Sequence, residues 1–392
     1  MAITKISVLG AGITACAVRK KIKELGIKEV PLSEAELIVT SPGIPKEKLP
    51  CTKTEIISEI EFAYRLFIQY NTLPKLIGIT GTNGKTTVTA LTAHILSIPS
   101  SGNIGDPLIN YVSKHRLYQA VAVELSSYQL EFCSRFTPHI AVLLNLTPDH
   151  LERHKTMDEY YNQKAKLIQN QSKNDYVIYN ADCAFVKKMV DHSLAKKIPL
   201  TANAEAKSLL KDSPLKGDHN IINALAAFQA GMIINDNSNQ NLEQIKRFKT
   251  LEHRIEYVGC FQERQIYNDS KATNPESVIA AIHSFNEPVC LILGGKDKGL
   301  DLNSFLSALF DRVRVIAVFG EITDRFYNLA RELNPYFPIY KYKYLSGALK
   351  KAIRESNKGD VILFSPACSS FDQFENYEHR GRVFKRMVKL LC

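Results

Sequence analysis

The sequence contains no Cys-X-X-Cys pair, although it has eight cysteines. Closely spaced cysteines are the usual ligands of structural zinc, and cysteine frameworks hold many small secreted proteins together. Their absence argues against both classes and favours a reducing cytoplasm. No apolar run reaches the length of a membrane-spanning helix, so we expect a soluble protein without a membrane partner.

A long basic block is also missing, even though the formal net charge is +10. Basic residues are spread along the chain and are not interleaved with aromatic residues, as they are on many surfaces that bind nucleic acids. We therefore expect small polyanionic substrates such as nucleotides, and no nucleic-acid partner. With 392 residues, 45% of them apolar and 23% charged, the chain is long enough for two or three globular domains.

The stretch LIGITGTNGKTTVTALTAHIL, residues 76–96, has the pattern of a strand, a glycine-rich turn and a helix. Glycines allow close approach of the backbone, and the N–H groups of a helix N-terminus attract anions. The pattern favours a phosphate-binding loop of the short GTNGKTT kind over an ordinary glycine turn. Lys85 would reach the outer phosphates, and Thr86 would offer its hydroxyl to magnesium. The predicted loop residues are Gly81, Thr82, Asn83, Gly84, Lys85, Thr86 and Thr87.

Strand-like and helix-like segments alternate along most of the chain, which is typical of an α/β fold with mostly parallel sheets. Helices are predicted at 15–24, 157–172 and 219–233. Composition shifts near residues 72 and 250 predict three domains, at 1–72, 73–250 and 251–392. The predicted strands lie in KISVLGAG, AELIVTSPGIP, AVAVELSSYQ, HIAVLLNLTPDH, NDYVIYNAD, PVCLILGG, RVIAVFG and DVILFSPACSS.

Polar residues follow two of the predicted strands of the middle segment. Glu124 ends one strand, and Asp149 and His150 come just after another. Because the carboxyl ends of parallel strands meet at one edge, these groups and the phosphate loop could face one nucleotide. A carboxylate suits magnesium, whereas histidine is a less usual ligand for so hard an ion. For Glu124 or Asp149 taken singly, capping of a strand or a helix is the better interpretation, but their convergence with a phosphate loop reverses that preference.

Three further residues carry weaker signals. Lys271 in NDSKATNPES and Lys298 in LILGGKDKGLD could hold carboxylates or phosphates, although an exposed lysine is most often solvated. Cys368 follows an apolar strand, but the sequence identifies no histidine or aspartate as its partner. We therefore interpret Cys368 as a packing residue rather than a nucleophile.

Several segments, in order, resemble the family of ATP-dependent Mur ligases: SPGIP, GITGTNGKTT, GNIGDPL, ELSSYQLE, NLTPDH, KGDHNIINALAA, LEHRIE, NDSKATN, GGKDKG and SPACSSFDQFENYEHRG. ELSSYQLE, NDSKATN and SPACSSFDQF are most similar to members that add D-glutamate. The resemblance implies a Rossmann-like N-terminal domain for a UDP-sugar, a central ATPase domain and a Rossmann-like C-terminal domain for the amino acid. The implied reaction is ATP-dependent ligation of D-glutamate to UDP-N-acetylmuramoyl-L-alanine through an acyl phosphate, carried out by a monomer.

The same resemblance implies roles for single residues. Lys85, Lys166, His150 and Arg254 would be catalytic. Thr86, Glu124 and His150 would hold two magnesium ions, with a CO2-derived carbamate on Lys166 supporting the second. Further ATP contacts would come from Asn220, Asn223, Arg254 and Asp269. The sugar nucleotide would be contacted by Ile13, Thr14, Ser41, Asn103 and Gln129. D-glutamate would be contacted by Thr273, Lys298, Ser370 and Tyr377, with Lys271 assisting at a carboxylate or phosphate.

The N-terminal segment departs from the family pattern. Between the helix that ends near Gly26 and ELIVTSPGIP lie only about ten residues, too few for a further strand-helix unit, which needs roughly 10 to 12. We therefore expect a shortened UDP-sugar domain. Two alternatives stay open: another amide ligase of this fold, similar to folylpolyglutamate synthases, and a nucleotide-binding module that has lost ligase activity.

Overall fold

The structure is a computed structural model that describes residues 4–113, 117–149, 151–213, 215, 217–249, 251–297, 299 and 302–391. The side chains of residues 151, 152 and 218 are not described. Contacts divide the chain into two compact units, Met1–Pro214 with Asn220–Phe248, and Leu215–His219 with Lys249–Cys392. The bounds 1–72, 73–250 and 251–392 stay a prediction.

The first unit begins with a small parallel sheet. Its elements are β1 (Lys5–Leu9), α1 (Ile13–Glu24), β2 (Lys28–Glu29), β3 (Leu37–Thr40), β4 (Ile56–Ser58) and α2 (Glu59–Gln69), with single 3-10 turns at Leu32–Glu34 and Lys46–Lys48. The strand order is β2-β1-β3-β4. Between α1 and β3, where every residue is described, the chain forms a two-residue strand and a 3-10 turn but no α-helix.

A larger sheet completes the first unit. Its strands are β5 (Lys75–Thr80), β6 (Ser100–Gly102), β7 (Ala120–Glu124), β8 (Ile140–Leu143), β9 (Tyr176–Asn180) and β10 (Lys196–Leu200). They are parallel in the order β10-β9-β8-β5-β7-β6, so β5 lies inside the sheet. The helices are α3 (Lys85–Leu96), α4 (Ser127–Glu131), α5 (Leu151–His154), α6 (Met157–Gln169), α7 (Ala184–Asp191), α8 (Ala204–Leu209), α9 (Asp218–Asn235) and α10 (Ser238–Arg247), and a 3-10 helix spans Leu108–Tyr111.

The second unit contains a third sheet. Its strands are β11 (Glu256–Phe261), β12 (Arg264–Asn268), β13 (Val289–Gly294), β14 (Val313–Phe319), β15 (Ile339–Tyr342) and β16 (Val361–Ala367). Their order is β11-β12-β16-β13-β14-β15, and the pairing of β11 with β12 is antiparallel while the other pairs are parallel. The helices are α11 (Pro275–Ile282), α12 (Asn303–Phe310), α13 (Thr323–Leu333), α14 (Leu345–Glu355) and α15 (Tyr377–Lys389). The predicted α/β fold is confirmed.

Burial explains the apolar character of the central strands. All residues of β7, β8, β13 and β16 are buried, as expected for parallel strands covered on both faces. Among the described residues, no helix combines the length and the apolar character that crossing a membrane requires.

Two buried carboxyl groups of α2 attach this helix to neighbouring segments. Glu61 accepts backbone N–H groups of Arg135 and Phe136 at 3.0 and 2.9 Å, and Arg65 at 2.8 Å. Glu59 accepts the N–H of Ile109 at 2.6 Å. The buried charge of Glu61 is therefore compensated by several hydrogen bonds. Glu59 has the one bond to Ile109 named above, and burial raises the pKa of its carboxyl to about 7.

Candidate active site

The turn Gly81 to Gly84 joins β5 to α3 at the carboxyl end of the larger sheet. Gly81 and Gly84 have φ angles of +156° and +87°, a conformation that other residues rarely adopt. A Cβ atom on Gly84 would lie 2.4 Å from Oδ1 of Asn223. The close approach of α9 therefore requires glycine at this position and places Asn223 beside the loop. Asn223 also donates to Oδ1 of Asn220 at 3.0 Å.

The segment after β8 holds the loop in shape. The N–H of Thr82 donates to the carbonyl of Asn145 at 2.9 Å. The Asn145 side chain accepts the N–H of Asn83 at 2.8 Å and donates to its carbonyl at 3.0 Å. The Thr82 hydroxyl contacts the Thr147 carbonyl and the Tyr160 hydroxyl, both at 3.1 Å. These bonds hold the loop backbone in a defined shape.

Two lysine side chains contact the loop. Lys85 Nζ donates to the carbonyls of Gly81 and Thr82 at 2.8 and 2.6 Å. Lys164, on α6, is 1% exposed and donates to the Gly81 carbonyl at 2.8 Å and to Oγ1 of Thr80 at 3.3 Å. Burial and, secondly, the Lys85 cation lower the pKa of Lys164 well below its usual value, although nearby carboxylates oppose this shift.

Lys166 contacts another segment rather than this loop, and the metal-supporting role expected for it stays a prediction that this placement does not favour. Its Nζ donates to the carbonyl of Glu131 at 2.5 Å, at the end of α4. Two positions along an α-helix correspond to a rotation of about 200°, so Lys164 and Lys166 point to nearly opposite sides of α6. Lys164 is the lysine that faces the phosphate loop.

Glu124 offers an oxygen that fits a cation. The side chain is 2% exposed, and its Oε1 accepts Nδ2 of Asn103 at 3.0 Å. Oε2 is buried and has no hydrogen-bond partner among the described atoms. A buried carboxylate with a free oxygen is costly unless a cation completes its environment. Thr86, buried in the first turn of α3, adds a hydroxyl suited to magnesium.

His150, predicted as a catalytic and metal-binding residue, lies outside the described residues. Within the described ranges, no group of three His, Cys, Asp or Glu side chains is arranged to hold a metal ion. Among the described residues, the candidates for metal binding near the phosphate loop are therefore Glu124, Thr86 and Asp149, all of which are buried. The Asp149 and Glu124 charges both act on the titration of Lys164, which indicates that they lie close to it.

A pocket of about 340 Å³ adjoins the phosphate loop. It is lined by Pro42, Gly43, Lys85, Asn103, Ser126, Ser127, Tyr128, Tyr160 and Lys164. Beside it, Oγ of Ser41 is buried without a hydrogen-bond partner in the described part of the chain. A Cβ atom on Gly10 would lie 2.5 Å from that oxygen, so the turn after β1 approaches the loop after β3 closely.

Thr87, predicted as a residue of the phosphate loop, is buried in α3. The other residues predicted to bind the sugar nucleotide lie at the starts of α1 and α4. Ile13, which is 80% exposed, and Thr14 begin α1. Gln129 closes a capping box at the start of α4: its Oε1 accepts the N–H of Ser126 at 3.0 Å, and Oγ of Ser126 accepts the N–H of Gln129. The side-chain oxygen of Gln129 therefore has a structural role in capping α4.

Asp269, predicted to contact ATP, is buried at the end of β12 in the second unit. It accepts the Ser365 hydroxyl at 2.7 Å and the N–H of Ile255 at 3.3 Å. Burial raises the pKa of Asp269 to about 7, while the Ser365 hydrogen bond and the charge of Arg254 act in the opposite direction. Arg254 and Asp269 therefore belong to one electrostatic cluster.

The predicted D-glutamate residues follow two neighbouring strands of the second unit. Lys271 and Thr273 come after β12, and Ser370 comes after β16. Lys271 Nζ lies 5.1 Å from the ring centroid of Tyr377, which begins α15. Ser370 is buried. Lys298 lies outside the described residues.

Comparisons with known proteins identify the family. Residues 79–231 match the Mur ligase middle domain, and residues 253–368 match the Mur ligase glutamate ligase domain. The chain is 34% identical to the UDP-N-acetylmuramoylalanine-D-glutamate ligase of Thermoanaerobacter pseudethanolicus, with 94% of this chain and 89% of the relative covered. The chain belongs to the Mur ligase family.

Further comparisons give a second relative of this Mur ligase and a solved structure with a similar fold. It is 37% identical to the enzyme of that name from Geotalea uraniireducens, with 91% of this chain and 84% of the relative covered. Among solved structures, the MurF ligase of Thermotoga maritima in complex with ADP matches with a TM-score of 0.65 and 16% identity, over 99% of this chain and 95% of that one. At that identity the structural match shows the fold alone.

In this Mur ligase, three residues that contact the phosphate loop were not predicted from the sequence: Lys164, Asn145 and Tyr160. A signal for Lys164 was present, because Tyr160, Lys164 and Leu167 recur at the i, i+4, i+7 spacing of a buried helix face. Tyr160 belongs to the same face. Asn145 stands in the quoted segment NLTPDH, but nothing in its spacing indicates that its side chain pairs with Asn83.

Proposed function

We propose that this Mur ligase joins D-glutamate to UDP-N-acetylmuramoyl-L-alanine, with conversion of ATP to ADP and phosphate, in the synthesis of peptidoglycan precursors. Support comes from relatives of that name at 34% and 37% identity over more than nine tenths of the chain. The structural observation that carries the proposal is the meeting of a phosphate loop, an unpartnered oxygen of Glu124 and a pocket at the carboxyl end of one sheet.

The first step makes a carboxylate reactive. A carboxylate is a poor acyl donor because an oxide would have to leave. An oxygen of the alanyl carboxylate therefore attacks the γ-phosphorus of ATP, the bond to the β,γ-bridging oxygen breaks, and ADP leaves. Lys85, at the start of α3, supplies positive charge where negative charge gathers on the phosphates. The product is an acyl phosphate.

The second step forms the amide bond. The amine of D-glutamate attacks the acyl carbon, a tetrahedral intermediate forms, and phosphate leaves with the C–O electron pair while the nitrogen loses a proton. Water would hydrolyse the acyl phosphate, so the reacting groups must be shielded from it. We propose that Lys271, Thr273, Ser370, Tyr377 and Lys298 hold D-glutamate, and that Arg254 and Asp269 contact ATP.

Magnesium and a carbamate fit the residues of the loop region. Glu124 and Thr86 would hold a magnesium ion, which supplies positive charge to the transferring phosphoryl group. We propose that Lys164, in place of Lys166, carries the carbamate formed with CO2. Its burial beside the Gly81 carbonyl is the supporting geometry. A lowered pKa agrees with this role because only the neutral amine reacts with CO2.

We propose that the protein is a cytoplasmic monomer. The cysteines in the described part of the chain are all free thiols, as expected in a reducing compartment. Gel filtration with light scattering would test the monomer.

The reaction is tested by measuring phosphate release with ATP, magnesium, UDP-N-acetylmuramoyl-L-alanine and D-glutamate, omitting one component at a time. The proposal expects release only in the complete mixture, together with a product whose mass equals that of both substrates joined with loss of water. Phosphate release that requires neither UDP-N-acetylmuramoyl-L-alanine nor D-glutamate would contradict the proposal. Release that requires a folate and glutamate would indicate the folylpolyglutamate alternative, and nucleotide binding without release would indicate a module without ligase activity.

A further inference from the structure

One arginine contacts two walls of the pocket at once. Arg153, on the short helix α5, donates from Nη1 to the carbonyl of Pro42 at 3.0 Å and from Nη2 to the carbonyl of Ile44 at 3.1 Å. Its Nε and Nη2 also donate to the carboxylate of Glu131, at the end of α4, at 3.0 and 2.6 Å. The guanidinium carbon lies 4.4 Å from the ring centroid of Tyr128.

These contacts link segments that are far apart in the chain. Pro42 and Ile44 belong to the loop SPGIP, residues 41–45, which follows β3, and they lie 111 and 109 residues from Arg153. Within that loop the N–H of Ile44 donates to the carbonyl of Ser41, a bond that shapes a local turn. Such a turn does not fix where the loop lies relative to α4. The Arg153 guanidinium fixes the position of the loop relative to α4, because its planar donors bond the loop and Glu131 at the same time.

The linked segments both form the pocket. Pro42 and Gly43 line it from the loop SPGIP, while Ser126, Ser127 and Tyr128 line it from the start of α4. The loop also begins with Ser41, whose buried hydroxyl has no partner among the described atoms. Displacement of the loop would therefore change the width of the pocket and move the Ser41 hydroxyl beside it.

We infer that Arg153 is a positioning residue for the sugar-nucleotide substrate, because it sets the spacing between the loop SPGIP and α4. The inference rests on the proposed function, which assigns the pocket to that substrate. The described hydrogen bonds that shape the phosphate loop come from other residues, such as Asn145 and Lys164. Loss of Arg153 should therefore weaken the use of the sugar nucleotide and leave the use of ATP unchanged.

The kinetic test compares Arg153→Met and Arg153→Lys with a matched control, Arg65→Met. Arg65 is 14% exposed, compared with 10% for Arg153, and also joins separate segments, bonding Glu55, Glu61 and Ser134, none of which lines the pocket. We expect the KM for UDP-N-acetylmuramoyl-L-alanine to rise about tenfold in both Arg153 variants and the KM for ATP to stay within about twofold. The lysine variant keeps the charge but cannot reproduce the planar set of donors.

The control is expected to separate stability from positioning. Arg65→Met should lower the thermal midpoint while leaving both KM values within about twofold of the wild type. A rise in the KM for ATP that matches the rise for the sugar nucleotide in the Arg153 variants would overturn the inference, and so would unchanged KM values for both substrates.

Hydrogen exchange gives a readout that does not depend on the reaction. In Arg153→Met, the amides of residues 43–49 should exchange faster than in the wild type, and those of residues 81–88 should not. Unchanged exchange in the loop overturns the inference even if the enzyme is active. If the wild type releases phosphate without the sugar nucleotide, the proposed function fails, while the exchange result still decides whether Arg153 holds the loop. Arg153→Lys serves the same comparison if the methionine variant does not fold.

Discussion

The side-chain nitrogens of Lys85 and Lys164 donate to the same acceptor, the carbonyl oxygen of Gly81, each at 2.8 Å. Two ammonium groups at one carbonyl oxygen repel each other, and this repulsion adds to burial in lowering the pKa of Lys164. A triphosphate carries more negative charge than a single carbonyl and offers several oxygens. The proposed binding of ATP at this loop would therefore give Lys85 a better set of acceptors than the loop itself provides.

Replacing Lys85 with methionine should remove turnover without unfolding the protein. The side chain lies at the start of α3, and its hydrogen bonds go to two loop carbonyls. Loss of one preorganised positive group at a transferring phosphoryl group should lower kcat by roughly 10²- to 10³-fold. The measurement is ATP turnover, with the thermal midpoint as a check on folding. Lys75→Met, at the exposed opposite end of β5, is the control and should keep wild-type turnover.

Lys164 and Lys166 provide a second test, because they differ by two positions on α6 and contact different segments. Lys164→Ala should lose activity by roughly 10²-fold or more, and short carboxylic acids such as acetate should restore part of it by replacing the carbamate. Lys166→Ala should stay within about threefold of the wild type, because that side chain contacts a carbonyl at the end of α4. Full activity in Lys164→Ala, or a large loss in Lys166→Ala alone, would contradict the assignment.

The pair also shows how far the sequence predicts the site. The strand, loop and helix around Lys85 were readable because local apolar spacing and glycines specify them. Motif resemblance predicted the carbamate on Lys166, which lies two positions from Lys164 on the buried face of α6. Helical period separates the two candidates, since Lys164 shares a face with Tyr160 and Leu167, which are both buried.

Contacts between residues far apart in the sequence could not be predicted from local spacing. Glu61 accepts backbone N–H groups of residues more than seventy positions away, and Arg153 reaches a loop more than a hundred positions away. Single-sequence spacing carries no information about such pairs, because they depend on how the two sheets of the first unit pack. Glu61 reads as an ordinary surface glutamate in a helix, although it is fully buried.

Glu59 predicts a pH dependence of stability. Burial raises the pKa of this carboxyl to about 7 in the folded protein, from 4.5 when exposed. The folded state therefore holds a proton that the unfolded state has released, so this group's contribution is fully present below pH 4.5 and is lost as the pH rises through 7. A shift of this size corresponds to about 3 kcal/mol. Glu59→Gln keeps an acceptor for the N–H of Ile109 and has no proton to lose.

The measurement for Glu59 is the difference in unfolding free energy between variant and wild type, from urea titrations at several pH values. The difference should be small near pH 4 and should favour Glu59→Gln by about 3 kcal/mol at pH 8. Glu159→Gln, at an exposed position of α6, is the control and should show a difference close to zero throughout. A difference for Glu59→Gln that does not change with pH would show that the carboxyl titrates normally.

Glu124 should lower the stability of the ligand-free protein while serving the metal. Its buried Oε2 has no hydrogen-bond partner among the described atoms, and a buried carboxylate oxygen without a hydrogen bond is unfavourable. Glu124→Gln keeps the acceptor for Asn103 and removes the charge, so its thermal midpoint in EDTA should equal or exceed that of the wild type. Magnesium with ADP should then raise the wild-type midpoint much more than that of the variant, because only a ligand that binds the folded state stabilises it.

The magnesium dependence of turnover and the thermal midpoint together decide the role of Glu124. The magnesium concentration for half-maximal turnover should rise by about tenfold or more in Glu124→Gln, the size of effect seen when the environment of a metal ligand is disturbed. Glu159→Gln should leave both quantities unchanged. A variant that is less stable than the wild type in EDTA, yet equally stabilised by magnesium with ADP, would mean that Glu124 serves the fold through Asn103 and not the metal.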